Sequence, residues 1–187
     1  MHPTIPLCVL VLATSAPALA VENVPVPAFK SVELRGGGEV VLVTGSAQRV
    51  TLLDGSTALT RFHVDGTGKL RIDACNGRCP QHYRLRIEIQ APHVPGVGVH
   101  GGGSIRAVSG FAAQHEVAAG ISGGGEIDLR TVKATTVAAG VIGGGKILVG
   151  PSAALTAGVN GGGEVRYLGN PQVTSAVNGG GTVRPAS

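Results

Sequence analysis

The chain has 187 residues, a net charge of +4 and a mean hydropathy of +0.28, with 31 glycines, 14% charged residues, three Phe, two Tyr and no Trp. Average chains hold about 7% Gly and about 25% charged residues. Collagen is excluded because no three-residue glycine period exists, and a flexible Gly/Ser linker because Val, Ile and Leu are interleaved throughout. A helical bundle is excluded by the roughly 1 kcal/mol that each glycine costs inside a helix, which leaves an all-β protein of one domain.

Residues 1–20, MHPTIPLCVLVLATSAPALA, contain no Lys, Arg, Asp or Glu and end Ala18-Leu19-Ala20, the small-x-small pattern of a signal peptide. The apolar run from Ile5 to Ala13 is too short to span a bilayer, which takes about 20 residues. Cys8 lacks the small residues that a lipobox places before its cysteine, so it is read as part of the leader. The mature chain is expected from Val21, with no transmembrane segment.

Residues 21–95 form the less regular part of the domain. AFKSVELRGGGEVVLVTG, RVTLLDG, TRFHVDGTGKLRIDA and YRLRIEIQAP alternate in polarity and end at turn residues, predicting about six strands. Within DACNGRCPQH, Cys75 and Cys79 flank an Asn-Gly turn. In an oxidising compartment such a pair forms a disulfide, and the competing reading is a metal site of Cys75, Cys79 and His82. We take the disulfide and assign no metal. Lys69, Arg71, Arg78, Arg84 and Arg86 cluster around this loop, against Asp73 and Glu88. They form a candidate patch for an anionic ligand such as lipopolysaccharide or an acidic glycan, the alternative being ordinary solvated cations. Nucleic acid is disfavoured, because +4 is a weak charge and Tyr83 is the one aromatic nearby.

Residues 96–185 are repetitive. Gly-Gly-Gly starts at Gly36 and again at Gly101, Gly123, Gly143, Gly161 and Gly179, the last five spaced by 22, 20, 18 and 18 residues. VAAGISGGGEIDL, VAAGVIGGGKILV, LTAGVNGGGEVRY and VTSAVNGGGTVRP align without gaps. Strand, glycine corner and strand recurring at this period predict a β-solenoid with coils of 18–22 residues. The column Val40, Ile105, Ile127, Ile147, Val165 and Val183 is then an interior ladder. Its neighbours Glu39, Ser104, Glu126, Lys146, Glu164 and Thr182 point outward, and the run Glu126-Lys146-Glu164 alternates in sign. The glycines are expected where a Cβ is forbidden, at corners of positive φ or at a close-packed edge.

Two nucleotide-binding patterns are accidents of glycine content. Gly96 to Gly101 matches G-x-G-x-x-G but lacks the βαβ context, and Gly140 to Lys146 matches a P-loop whose Ser/Thr position holds Ile147. The acids are scattered, the histidines show no metal spacing, and no Ser-His-Asp arrangement can be argued, so the chain is read as a non-enzyme with no cofactor.

In chain order, VELRGGGEVVLVTG, GKLRI, LRIEI followed by PHV, and repeated small-Gly-x-Gly-x-Ile/Val motifs resemble the bacterial family labelled putative auto-transporter adhesin, head GIN domain. The resemblance runs from about Val24 to Val183. It implies a right-handed parallel β-helix, export to the periplasm or cell surface, and no catalytic residue to carry over. That family often has Ala or Ser in the middle of the triad, where this chain always has Gly. The expected function is a structural or adhesion module of the bacterial envelope, with a glycan-binding or glycan-processing β-helix as the alternative.

Overall fold

The structure is a computed structural model and describes residues 21–186, so the expected signal peptide and Cys8 lie outside the described residues. These form seventeen strands and no helix. The first seven are β1 (Glu22–Val24), β2 (Ser31–Gly36), β3 (Glu39–Thr44), β4 (Arg49–Asp54), β5 (Arg61–Val64), β6 (Lys69–Asp73) and β7 (Arg86–Ala91). The sequence predicts β2 to β7, and the addition, three-residue β1, is too short to show alternation. The repeats then supply β8 (Gly96–Gly101) with β9 (Ser104–Ala107), β10 (Gln114–Gly123) with β11 (Glu126–Leu129), and β12 (Ala134–Gly143) with β13 (Lys146–Val149). Two more pairs follow, β14 (Ser152–Asn160) with β15 (Glu164–Tyr167) and β16 (Gln172–Asn178) with β17 (Thr182–Pro185).

Each strand before a glycine triad joins an eight-stranded sheet and each strand after it a nine-stranded sheet. The orders are β16-β14-β12-β10-β8-β2-β6-β5 and β1-β4-β7-β3-β9-β11-β13-β15-β17. Neighbouring repeats pair parallel and in register, with Val117 beside Val137 and Ile127 beside Ile147. At the amino-terminal end β4 runs antiparallel to β7 and β1, and β5 antiparallel to β6. Both sheets are therefore mixed, a departure from the wholly parallel pairing of a β-helix. The pair β2/β3 is also not terminal, because β6 and β7 pack on its outer side.

The predicted interior ladder is present. Val40, Ile105, Ile127, Ile147 and Val165 are each fully buried and paired in sequence, and Val183 extends the row half-buried. Burying one such β-branched side chain contributes about 1.5–3 kcal/mol, and the row repeats at the strand spacing, so each residue also fills the gap left by the next. The outward column is in register too. Glu164, however, takes its cations from Arg166 at 2.8 Å and Arg184 at 2.6 Å rather than from Lys146.

Both expectations for the triads hold, and at Gly38, Gly103 and the first glycine of the last four triads they coincide. The first glycine of all six triads has positive φ, between +87° and +129°. The third is closed in by its neighbour. A Cβ on Gly145 would lie 2.5 Å from Ile121 Cγ2 and 2.8 Å from the Gly125 carbonyl oxygen. The cause is the bonding between successive corners, in which the Gly144 amide donates to the Gly123 carbonyl and the Lys146 amide to that of Gly125, both at 3.0 Å. This draws the backbones together. The middle glycine faces open space at Gly124, Gly144, Gly162 and Gly180.

Candidate functional site

The outer face of the eight-stranded sheet carries the most organised surface chemistry. Alternation places Glu33 and Arg35 on the same face of β2, and pairing sets Arg71 beside Glu33 from β6 and His100 beside Arg35 from β8. The side chains converge on Glu33, which is 6% exposed. Arg35 Nε donates to its Oε1 at 2.5 Å, Lys69 Nζ lies 3.2 Å from Oε2, and Arg71 Nε and His100 Nε2 stand 3.7 and 3.9 Å from Oε1. Burial pushes the Glu33 carboxyl up, but the hydrogen bonds and charges of Arg35 and Lys69 outweigh it and hold the group below the usual carboxylate range. Asp65, in the β5–β6 turn, approaches Arg71 at 3.9 Å. Its carboxyl is held down to about 2 by hydrogen bonds from the Thr67 hydroxyl and from the Lys69 and Thr67 amides.

From this cluster a furrow of about 700 Å³ runs across the repeats. Its floor is the register column Gly98, Gly120, Gly140 and Gly158, ending at Ala176, flanked by Ala118, Ala138 and Thr156. A Cβ at Gly120, Gly140 or Gly158 would meet nothing within 4 Å, so the furrow exists because these strands carry no side chain there. At about 4.8 Å per strand, the column from Gly98 to Ala176 spans roughly 19 Å. The two accidental nucleotide motifs each begin at this furrow, at Gly96 and Gly140. Gly96 to Gly101 is strand β8, and Gly140 to Lys146 runs from β12 through a corner into β13, with no helix to receive a phosphate.

The five basic residues singled out in the sequence fall in separate places. Lys69 and Arg71 belong to the Glu33 cluster, and Lys69 also lines the end of the furrow. Arg86 lies on β7 in the other sheet, where it shares Glu39 with Arg106 at 3.1 and 3.0 Å. The Arg106 hydrogen bond, with the charges of both guanidiniums, holds the Glu39 carboxyl low. Arg84 precedes β7 and pairs with Asp54 at 3.2 Å, and Arg78 sits in the cysteine loop. Four of the five thus have a carboxylate within 4 Å. Cys75 and Cys79 are joined in a disulfide with a Cα–Cα separation of 6.0 Å. Among the described residues no group of three His, Cys, Asp or Glu side chains could hold a metal.

Glu33, Arg35 and His100 were not singled out in the sequence. Aligning RGGGEVVL from Arg35 with HGGGSIRA from His100 puts Arg35 over His100, and the alternation of Val-Glu-Leu-Arg puts Glu33 on the same face. The furrow also has a signal, a glycine three residues before each triad from Gly98 to Gly158.

Residues 96–171 match the family described as putative auto-transporter adhesin, head GIN domain. Among solved structures, a putative adhesin from Bacteroides fragilis is 18% identical over 91% of this chain and 98% of its own, with a TM-score of 0.52. A putative adhesin from Parabacteroides merdae is 15% identical over 90% of this chain and 96% of its own, with a TM-score of 0.39. A putative lipid binding protein from Parabacteroides distasonis has the same identity and coverages and a TM-score of 0.36. The first of these likenesses is one of fold. No curated protein matches the chain. Among the described residues no helix is long and apolar enough to cross a membrane.

Proposed function

We propose, from the head GIN match over residues 96–171, that the chain is an exported, non-enzymatic β-solenoid serving as a structural or adhesion module of the bacterial envelope. Residues 1–20 are its signal peptide and residues 21–187 its single domain, a right-handed parallel β-helix closed at one end by antiparallel strands. The observation that carries this reading is the unbroken register of the triads. Gly101, Gly123 and Gly143 pair in parallel from one strand to the next, as turns of a solenoid require. A scaffold of this kind offers long flat faces rather than a closed cleft, which suits contact with an extended or repetitive partner. The exported chain is expected to bind envelope fractions or whole cells saturably and to leave acidic polysaccharides uncleaved. Turnover of a polysaccharide would overturn the reading.

The furrow favours one second reading, binding of a glycan or lipopolysaccharide strand, because it is elongated and has Lys69 at one end. Salt-sensitive association that is lost on combining Lys69→Ala with Arg71→Ala would support it. Loss on combining Arg84→Ala with Arg86→Ala would place the contact on the other sheet instead.

A further inference from the structure

The last strand pair differs from all the others in the repeat. In β14, Leu155 and Val159 are 1% and 3% exposed, whereas their registered counterparts in β16, Val173 and Val177, are 39% and 45% exposed. Ser175, registered on Ala157, completes the inward row of β16. Among the described residues β16 pairs with β14 alone, so the N–H and C=O groups of its far side have no strand partner. At the opposite end the same sheet finishes in β5, a strand of four residues, RFHV, that carries the charge of Arg61. Edge strands are ordinarily blunted by charges, proline or a bulge. The sequence of β16, QVTSAVN, contains neither charge nor proline, and its register with β14 is unbroken.

The strand is also complementary to itself. Laid antiparallel about Ser175, Val173 faces Val177 of a second copy, Thr174 faces Ala176, and Gln172 faces Asn178. A two-fold axis normal to the sheet at Ser175 keeps the inward faces on one side. The exposed valines of both copies then meet, and the two apolar interiors become continuous. A slip of one residue sets inward against outward side chains, and a slip of two sets Val173 against Ser175. We propose that two copies of this chain join through β16, antiparallel about Ser175, in an isologous dimer that continues the eight-stranded sheet across the two-fold axis.

The test is sedimentation equilibrium of the full chain over a range of concentrations up to the sub-millimolar, with Ser175→Glu and Ser175→Lys as variants. Ser175 is exposed in the single chain, so both variants should keep the wild-type circular dichroism and thermal midpoint at low concentration. The expected result is a concentration-dependent wild-type dimer, weakened at least about tenfold by either variant because like charges meet at the axis. An equimolar mixture of the two variants should restore it. A wild-type chain that stays monomeric overturns the proposal, as does a dimer indifferent to Ser175→Glu. Growth beyond two copies, or pairing of β16 with a foreign peptide strand instead of itself, overturns it equally.

Discussion

Glu33 combines burial with several cationic neighbours, and the balance decides its behaviour. Its carboxyl lies below its ordinary value of 4.5, so it contributes stability that is fully present above that value and is lost as pH falls through the lower folded one. The urea midpoint should therefore decline on acidification below about pH 4.5. Glu33→Gln should destabilise the fold at neutral pH by about 1–3 kcal/mol and flatten that decline, since it removes the negative charge that Arg35, Lys69 and Arg71 share. Asp65 provides an independent check in a solvated turn. Carboxyl NMR should find it titrating near 2, and Thr67→Val should raise that value by removing the hydroxyl donor.

The repeating element is a strand, a corner and a strand, and the corner sets its tolerance to change. Gly145→Ala drives a methyl into Ile121 and the Gly125 carbonyl, so unfolding experiments should show a loss of about 2–4 kcal/mol. Gly144→Ala, one residue away, meets open space and should change stability by less than about 1 kcal/mol in either direction. Equal losses at the two positions would contradict this account of the corner. The cysteine loop stands outside the repeat. Its sequence separation is 4, so the closed ring restrains little chain. Replacing Cys75 and Cys79 together by Ser should cost less than the roughly 3 kcal/mol of a fifteen-residue loop, with exchange rates changed only near residues 74–85.

Across the whole molecule the contacts join neighbouring strand pairs, so stability should be graded along the stack rather than uniform. Interior residues of β9, β11 and β13 lie between two layers, whereas β16 and β17 cover their neighbours from one side. At low concentration, amide exchange should be fastest in β16 and β17 and slowest around Ile105, Ile127 and Ile147. Protection spread evenly over all strands would argue against layer-by-layer stability. The amino-terminal end should resist fraying better, because β4 and β5 close it with antiparallel pairing and with buried Val50 and Leu52.

The repeat was legible because its period is the structural period. Aligning the triads by sequence reproduces the register by which Val40, Ile105 and Ile127 stack, and the alternation around each triad assigns the inward face. The adjacency of Cys75 and Cys79 likewise made their pairing readable. The candidate site was legible only in part. Lys69, Arg71, Arg84 and Arg86 look like one patch along the chain, yet the turn over residues 74–85 carries the backbone from one sheet to the other and separates them. Glu33 gathers Lys69 and Arg71 because β6 folds back against β2, a long-range pairing that no local alternation specifies. Sequence by itself determined the strands from β2 onward, their inward faces and the register of the repeats, since those follow from local periodicity. Tertiary structure alone decided that Lys69 and Arg71 join Glu33 and that both sheets are mixed, since these depend on which distant strands become neighbours.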